Sequence, residues 1–402
     1  MHGLLMALLT VTTALVLLPV LVFAGEVALA LWPAARLPEP GAQRPSVAVL
    51  VPAHNEADAI AANLQAILAQ LRLEDRLLVV ADNCSDDTLA VAAATGAEVI
   101  ERRDVQQRGK GFALDFGVRH LAQHPPGVLI IVDADCLIAS GAIQQLASLC
   151  ASARRPVQAR YLMRLPPGAP PLRRIAQFAW LVRNEVRPRG LLRLGLPCQL
   201  MGSGMAFAWT DVAGGRLASG HLVEDLKLGL ELAEAGRAPL FCPSALVSSV
   251  FPASAAGVES QRRRWEHGHL SVLLSQGPRL LMRALMRADA AALALTMDLL
   301  VPPVALLSLL AGAVWLMDLL AWIFFASALP LLLGSMTLGL LMLSVLLAWL
   351  RFGRDTVSLG TLLLAGAYAL KKLPLYAGFV IARQVDWVRS RRDGEGDGAK
   401  PR

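Results

Sequence analysis

The sequence predicts an α/β domain inserted between membrane-spanning helices, and three observations support this fold class. The chain has 402 residues, of which 55% are hydrophobic, and its mean hydropathy of +0.52 is too apolar for a soluble protein with a largely polar surface. Long apolar segments stand near both ends of the chain. Between them, from about residue 46 to 132, short apolar runs alternate with helical patterns. Such alternation is typical of a mainly parallel sheet covered by helices.

The first element is the apolar segment from Gly3 to Gly25, which contains no charged residue. It exceeds the roughly 20 residues that a helix needs to cross the hydrocarbon, and it predicts an N-terminal anchor. A cleaved signal peptide is the alternative, although its apolar core is only about 7 to 15 residues long.

The predicted α/β domain follows a Pro-rich linker that ends at Pro45. Continuous apolar runs predict buried strands, and capping residues such as Ser85-Asp86-Asp87-Thr88 predict helix starts. In chain order we expect a strand at Ser46–Pro52, a helix at 57–70, a strand at 76–81, a helix after Ser85, a strand near 97–101, a helix at 111–122 and a strand at 127–132.

Two later segments are predicted to form amphipathic helices that lie in the membrane interface. In residues 172–183, the helical period gathers Phe178, Trp180 and aliphatic residues beside arginines. Residues 269–286 form the second candidate. Ordinary core helices with solvated basic faces are the alternative for both segments.

The C-terminal part is again apolar and predicts further membrane crossings. Residues 290–350 carry only the charges of Asp298 and Asp318, so they have room for two long or three short crossings. A last apolar stretch, 356–382, is interrupted at 371–374 and is expected to span, to re-enter or to lie in the interface.

Charge and cysteine content limit the partners and the compartment. The net charge of +7 is concentrated in the middle of the chain and in the tail, which favours the cytoplasmic side of a membrane. Aromatic residues make up only 5% of the chain and no nucleic-acid module is visible, so anionic lipids and a sugar diphosphate are preferred as partners over nucleic acid. The five cysteines are odd in number and lack a C-x-x-C pair, which predicts free thiols and no zinc site.

Acidic residues follow several of the predicted strands. Asp133 and Asp135 come after the fourth strand, and oxygen ligands of this kind suit Mg²⁺ or Mn²⁺. Asp82 follows the second strand and Glu56 the first, where carboxylates can accept hydrogen bonds from a nucleobase or a ribose. A solvated loop is the alternative for the D-x-D pair, and a turn or helix-capping residue is the alternative for Asp82.

Two further groups extend the predicted site. Lys110 stands between glycines ahead of a helix, as in a clamp for a diphosphate. Glu224 and Asp225 begin a predicted helix, and one of them is a candidate general base. Acidic residues also stabilise helix N-termini, so a structural role is the alternative for this pair.

The segment Gln261-Arg262-Arg263-Arg264-Trp265 combines an amide, three cations and an aromatic ring. Arginine can neutralise a departing diphosphate, and tryptophan offers a stacking face for a sugar. By itself the segment is equally typical of a basic cluster beside a membrane. The following His267-Gly268-His269 lacks further spaced ligands and is interpreted as structural.

Taken together, these motifs resemble the D, D-x-D, E-D and Q-x-x-R-W signature of membrane-integrated family-2 glycosyltransferases. That group includes the cellulose, chitin and hyaluronan synthases, and ceramide glucosyltransferases are more distant members. The resemblance covers about residues 46 to 270, and it implies a GT-A (Rossmann-like) fold. It also implies one inverting displacement with Mg²⁺ or Mn²⁺ as cofactor.

The resemblance assigns a role to each matching residue. The nucleotide sugar is expected to contact Glu56, Asp82, Lys110, Asp133, Gln261, Arg264 and Trp265. Asp135, helped by Asp133, is expected to hold the metal, and Asp225, beside Glu224, is expected to act as the base. The acceptor is expected near Gly202, Ser203, Gly204 and Trp265, and Arg262 and Arg263 remain as headgroup-binding or structural cations.

The resulting hypothesis is a multi-pass enzyme of a bacterial-type inner membrane with its catalytic domain in the cytoplasm. It would transfer a sugar, expected to be carried by UDP, to a growing polysaccharide and couple transfer to export, with export or assembly proteins as further partners. The alternative is a single transfer to a lipid acceptor such as a polyprenyl phosphate or ceramide. A non-catalytic membrane scaffold is a third hypothesis, which the intact acidic sites disfavour.

The expected domains are an anchor at 1–34, a linker at 35–45, the GT-A domain at 46–254, the Q-x-x-R-W segment with an interfacial helix at 255–288, a membrane region at 289–385 and a charged cytoplasmic tail at 386–402.

Overall fold

A computed structural model describes residues 2–33, 44–215, 217–218, 220 and 223–381. Most of the predicted linker, and the whole of the predicted tail, lie outside the described residues. The chain divides into two compact units. The helical unit comprises Met1–Ala34, Gly168–Leu196 and Leu270–Arg383, and the sheet unit comprises Ala35–Pro167, Pro197–His269 and Gln384–Arg402.

The secondary structure alternates between strands and helices in the first half and is helical in the second half. The strands are β1 (Val47–Ala53), β2 (Arg76–Asp82), β3 (Glu98–Arg102), β4 (Val128–Ile131), β5 (Leu137–Ile138), β6 (Val157–Arg164), β7 (Met205–Ala208) and β8 (Leu240–Val250). The helices are α1 (His2–Ala30), α2 (Ile60–Leu68), α3 (Thr88–Ala94), α4 (Lys110–Leu121), α5 (Ala142–Ala153), α6 (Arg173–Leu181), α7 (Arg187–Arg193), α8 (Trp209–Val212), α9 (Glu224–Glu234), α10 (Ala255–Met286), α11 (Ala290–Leu300), α12 (Val304–Phe325), α13 (Ala328–Ala348), α14 (Leu359–Leu362), α15 (Ala365–Leu370) and α16 (Leu373–Ile381). Two π-helical segments, Val182–Val186 and Trp349–Gly353, continue α6 and α13.

The strands form one eight-stranded mixed sheet in the order β3-β2-β1-β4-β7-β6-β8-β5. The first four strands in this order are parallel, and β7 pairs antiparallel to both β4 and β6. β1, β2 and β4 are buried along nearly their whole length, as continuous apolar runs in a helix-covered parallel sheet should be. Apolar side chains of α4, such as Leu114 and Leu121, complete the core beneath them.

This order brings the carboxyl ends of neighbouring strands to one edge. β1 lies between β2 and β4, so the residues that follow these three strands, Glu56, Asp82 and Asp133, stand side by side at that edge. Open α/β sheets bind ligands in the crevice outside such an edge.

Among its described residues, the helical unit has three helices that are long and apolar enough to cross a membrane. They are Gly3–Ala30, Val304–Phe325 and Ala328–Gly353, so two candidate crossings follow the sheet unit in sequence. The last apolar stretch divides into the short helices α14, α15 and α16.

Buried charges join three helices of the helical unit. The Arg187 guanidinium of α7 donates to Glu26 of α1 at 2.5 Å and to Asp298 of α11 at 2.6 Å. Asp318 of α12 is fully buried and lies 2.9 Å from the Thr13 hydroxyl of α1. Both aspartates are therefore engaged in contacts between helices.

The first segment predicted to be interfacial forms α6 and the π-helical segment after it. Ile175 and Phe178 of α6 are buried in one apolar cluster with Val20 and Phe23 of α1. Its apolar face thus packs against a candidate membrane-spanning helix. The second predicted segment is the C-terminal half of α10.

Candidate active site

The D-x-D pair lies in the loop that follows β4. One ligand atom each of Asp133, Asp135 and Cys136 lies within 4.8 Å of the others. Burial raises the pKa of Asp135, and the neighbouring charge of Asp133 raises it further. A bound cation would offset the repulsion between the two carboxylates. Carboxylate oxygens are the ligands that Mg²⁺ and Mn²⁺ prefer.

Cys136 completes the cluster in space but is a poor ligand for such a cation. Burial raises the pKa of its thiol well above the ordinary value, and the charges of Asp135 and Asp133 add to the effect. The protonated sulfur lies 3.5 Å from Asp135 and 3.7 Å from the Tyr161 hydroxyl. The two aspartates therefore fit a hard divalent cation without help from the thiol.

The segment Gly202-Ser203-Gly204 packs against the D-x-D loop and is hydrogen-bonded to it. Ser203 is fully buried, and its hydroxyl accepts a hydrogen bond from the Asp133 backbone N–H at 3.0 Å. The buried Gln158 amide donates to the Ser203 carbonyl at 2.9 Å and accepts from the Met201 N–H at 2.8 Å. Ser203, predicted near the acceptor, thus holds a positioning contact to Asp133.

Glycine is required on both sides of Ser203. Gly202 and Gly204 have φ angles of +92° and +69°, where an L side chain is strained. A Cβ atom on Gly204 would stand 2.7 Å from the Val247 side chain, and one on Gly202 would stand 3.3 Å from Asp225 Oδ2. The segment therefore passes directly beside the candidate base.

Lys110 at the start of α4 links these groups. Its ammonium nitrogen lies 2.5 Å from Asp133 Oδ1, 2.6 Å from the Gly202 carbonyl oxygen and 3.9 Å from Glu224 Oε1. Burial alone would lower the pKa of Lys110, but the negative charges of Asp133 and Glu224 outweigh burial and raise it above the ordinary value. The side chain is therefore a permanent cation among carboxylates.

Glu224 and Asp225 occupy the first turn of α9, as predicted from the helix pattern. Burial raises the pKa of Glu224 from 4.5 to about 7; the charge of Lys110 opposes this rise and that of Asp225 adds to it. The Glu224 side chain is only 16% exposed. A cavity of about 160 Å³ opens beside both carboxylates and extends along α9 to Glu231.

The predicted nucleotide end contains an arginine that sequence reasoning missed. Asp82 accepts from Arg102 at 2.7 Å, and Arg102 also donates to Asp104 at 3.1 Å and to the Gln107 carbonyl at 2.8 Å. Arg102 is the register partner of Asp82 across β2 and β3. The sequence offered one signal for this pair: Arg102 ends the strand that follows β2 in the chain, as Asp82 ends β2.

Glu56 follows β1, the strand that neighbours β2. It is 8% exposed, and its backbone N–H donates to the Thr88 hydroxyl at 2.7 Å. This bond fixes the turn that carries Glu56 to the start of α3.

Gln261, Arg264 and Trp265 lie in the half of α10 that belongs to the sheet unit, and all three are partly buried. A Cβ atom on Gly268 would stand 2.6 Å from the Val223 side chain, so α10 packs closely against the residue that precedes Glu224. The Q-x-x-R-W segment is therefore on a helix in contact with the start of α9. Arg263 pairs instead with the exposed Glu259 at 3.3 Å.

His267 and His269, interpreted from the sequence as structural, are both buried, at 1% and 7% exposure.

The fold and this edge define a GT-A domain. The chain superimposes on a mannosyltransferase from Pyrobaculum calidifontis, in complex with GDP-Man and Mn²⁺, with a TM-score of 0.52 and 17% identity over 93% of this chain and 95% of that one. A glucosyl-3-phosphoglycerate synthase from Mycobacterium tuberculosis matches over 58% of this chain and 86% of its own, with 19% identity and a TM-score of 0.38. The predicted fold class is thus confirmed.

The sequence also matches the family described as Glycosyltransferase like family 2 over residues 45–268, which is more than half of the chain. The protein belongs to that family. Relatives named as uncharacterized glycosyltransferases, from Mycobacterium tuberculosis and Mycobacterium bovis, are 38% identical over 120 residues, which is 28% of this chain and 50% of theirs. The chain thus spans about half the length of the curated relatives it matches.

Proposed function

We propose that the protein transfers a sugar from a nucleotide diphosphate sugar to an acceptor at a membrane, with inversion at the anomeric carbon and with Mg²⁺ or Mn²⁺. One observation carries this proposal: Lys110 joins the D-x-D loop to the start of α9, with its ammonium 2.5 Å from Asp133 and 3.9 Å from Glu224. The side chain predicted to bind a diphosphate thus lies between the loop predicted to hold a metal and the helix start that carries the candidate base.

Asp133 and Asp135 would hold the divalent cation, which supplies positive charge to a leaving diphosphate. Glu56 and Asp82 bind the nucleoside, and Lys110 binds its diphosphate. Gln261 and Arg264 add an amide and a guanidinium to that diphosphate, because arginine recognises phosphate oxygens in bidentate fashion. Trp265 stacks on a sugar ring beside the acceptor.

In the reaction, an acceptor hydroxyl attacks the anomeric carbon as the bond from that carbon to the diphosphate oxygen breaks. Asp225 accepts the hydroxyl proton, and the nucleoside diphosphate leaves with the bonding electron pair. A single displacement inverts the anomeric centre and forms no covalent intermediate with the protein. Any side chain at position 202 would reduce the space beside Asp225. Gly202 therefore leaves room there for the acceptor.

Two acceptor classes follow from the family resemblance: a growing polysaccharide that is exported, with export or assembly proteins as partners, and a lipid that receives one sugar. A polymer-exporting enzyme needs a polar channel between its helices, and from the sequence alone Asp298 and Asp318 are compatible with one. Asp298 instead pairs with Arg187, and Asp318 is fully buried beside Thr13. These contacts favour transfer to a lipid acceptor as the second candidate function.

The proposal is tested by incubating the purified protein with UDP- and GDP-sugars, Mn²⁺ or Mg²⁺ and a membrane lipid extract, and by sizing the product. A polymer supports the polysaccharide hypothesis, and one sugar on an extracted lipid supports the alternative. Absence of transfer from every sugar nucleotide contradicts both. Omission of the divalent cation should abolish turnover.

Replacement of the candidate base separates chemistry from binding. Asp225→Asn should lower the transfer rate by about 100-fold or more, because proton removal by a positioned carboxylate contributes about that much. Affinity for the nucleotide sugar, measured by isothermal titration calorimetry, should stay within about twofold, since the base contacts the acceptor. Glu231→Gln is the matched control, because Glu231 lies on the same helix and pairs with Lys227. If Asp225→Asn loses nucleotide-sugar binding instead, Asp225 is not the base.

A further inference from the structure

The ammonium group of Lys110 lies among oxygen atoms of the kind that bind a divalent metal ion. It lies 2.5 Å from Asp133 Oδ1 and also contacts the Gly202 carbonyl oxygen at 2.6 Å. Its side chain is 19% exposed, and the carboxylates of Glu224 and Asp225 lie nearby. Carbonyl and carboxylate oxygens around one positive charge are also the surroundings that a divalent cation takes.

Lys110 contacts the Asp133 carboxylate, and a divalent cation at the D-x-D loop would use that same carboxylate. A cation held by Asp133 draws on the lone pairs that the ammonium uses, and two positive charges at one oxygen repel each other strongly in a partly buried site. Ser203 fixes the Asp133 backbone from below, so the aspartate cannot easily move away to serve both. The four-carbon stem of lysine is flexible, so the ammonium group can move instead.

We propose that Lys110 is an internal competitor of the divalent cation: binding of the cation by Asp133 displaces the Lys110 ammonium from that carboxylate and makes it available to the diphosphate of the nucleotide sugar. This inference rests on the proposed function, from which it takes the metal-binding role of Asp133 and Asp135. It gives Lys110 a positioning role before the donor binds. It also couples the two ligands, because the diphosphate offers the displaced ammonium a new partner.

The first test measures Mn²⁺ affinity without any nucleotide, from the electron paramagnetic resonance signal of free Mn²⁺. Lys110→Gln should bind Mn²⁺ at least about tenfold more tightly than the unchanged protein, because the competing charge is gone. Lys227→Gln is the matched control, since Lys227 lies on α9 two residues after Asp225 but pairs with Glu231 at 3.7 Å. An equal gain in both variants, or no gain in Lys110→Gln, overturns the inference.

The second test uses the unchanged protein, so it does not depend on how a variant folds. Lysine acetylation by a water-soluble reagent is followed by mass spectrometry in metal-free and Mn²⁺-containing buffer. Lys110 should be labelled slowly without metal and several-fold faster with Mn²⁺, while labelling of Lys227 stays constant. Bound Mn²⁺ with unchanged Lys110 labelling overturns the displacement.

The two failures are distinguishable. If neither the unchanged protein nor Lys110→Gln binds Mn²⁺, the inference is overturned, whereas the proposed function is judged by turnover with sugar nucleotides. If transfer is measured and Lys110 labelling does not respond to Mn²⁺, the proposed function stands and the inference falls.

Discussion

Arg102 is a single residue on which the predicted nucleotide site depends. It donates to Asp82 Oδ1 at 2.7 Å, both side chains are nearly buried, and its guanidinium lies over the Phe112 ring. Removing one partner of such a pair leaves the other charge buried and uncompensated. We therefore expect Asp82 to keep its orientation only while Arg102 is present.

Arg102→Gln should weaken binding of the nucleotide sugar by about tenfold, equivalent to roughly 1.4 kcal/mol, with a smaller effect on the turnover rate. The measurement is a titration of the sugar nucleotide by calorimetry together with kcat and KM. Arg103→Gln is the control, because Arg103 is 77% exposed and pairs with Glu101. If the two variants bind the donor equally well, Arg102 does not position Asp82.

Glu224 gives the stability of the protein a defined pH dependence. Its pKa in the folded protein is raised from 4.5 to about 7 by burial, opposed by Lys110. A carboxyl whose folded pKa lies above its unfolded pKa stabilises the fold fully below about pH 4.5 and loses that contribution as the pH rises to about 7. The loss at Glu224 amounts to at most about 3 kcal/mol.

Glu224→Gln should therefore make the metal-free protein more stable than the unchanged protein at pH 8, and the difference should shrink toward pH 4.5. Thermal unfolding in detergent with EDTA, recorded at several pH values between these limits, measures this difference. Glu231→Gln, on the exposed side of the same helix, should leave the pH profile unchanged. Parallel profiles for Glu224→Gln and the unchanged protein would contradict the raised pKa.

At the scale of elements, the close crossing of α1 and α7 depends on one glycine. A Cβ atom on Gly190 would overlap the backbone carbonyl of Glu26, and backbone atoms cannot move aside as a flexible side chain can. The same crossing carries the ion pair between Glu26 and Arg187. Glycine permits this approach because it has no side chain.

Gly190→Ala should destabilise the helical unit by about 1–3 kcal/mol or more, as overpacking does in well-packed interiors. The thermal midpoint of the detergent-solubilised protein measures the loss. Gly25→Ala is the control, because Gly25 lies on α1 with no atom within 4 Å of an added Cβ and should change stability little. Equal midpoints for both variants would show that the crossing tolerates a side chain.

The strand ends of the parallel half were predictable because β1, β2 and β4 are continuous apolar runs, each followed by a polar residue that marks the edge. The ion pair between Asp82 and Arg102 could not be predicted from the sequence, because it depends on the register between β2 and β3. Helix α2 begins at Ile60 rather than Ala57, since Glu56 is held in a turn by a hydrogen bond to Thr88. Local patterns carry no information about such contacts.

The same limit applies to the ion pairs of the helical unit. Arg187 is 161 residues from Glu26 and 111 from Asp298 in sequence, and no periodicity links the three. From the sequence alone Asp298 is compatible with a channel, because an ionisable residue in an apolar segment is a functional candidate by default. Only tertiary packing shows that the charge has a partner.

For the whole molecule, we predict that the three candidate crossings found among the described residues all span the membrane and that the candidate active site faces the cytoplasm. One crossing precedes the sheet unit and two follow it, and Ala326 and Ser327 alone connect α12 to α13. In this topology the chain crosses back after α12 through the last candidate crossing, Ala328–Gly353; Arg351 lies in the last turn of that crossing and Arg354 follows it. Arginines flanking a crossing favour the cytoplasmic side.

This topology predicts opposite accessibility for two serines. In intact cells, Ser327→Cys should react with a membrane-impermeant maleimide, and Ser358→Cys should react only after permeabilisation, because it follows the third crossing. The five native cysteines, four of them buried, should stay unlabelled from outside, so the unchanged protein is the control. Labelling of Ser358→Cys in intact cells would contradict this topology: if Ser327→Cys is labelled as well, one of the helices does not cross, and if Ser327→Cys is protected, the orientation is reversed. The active site could then not be assigned to the cytoplasmic side from the number of crossings.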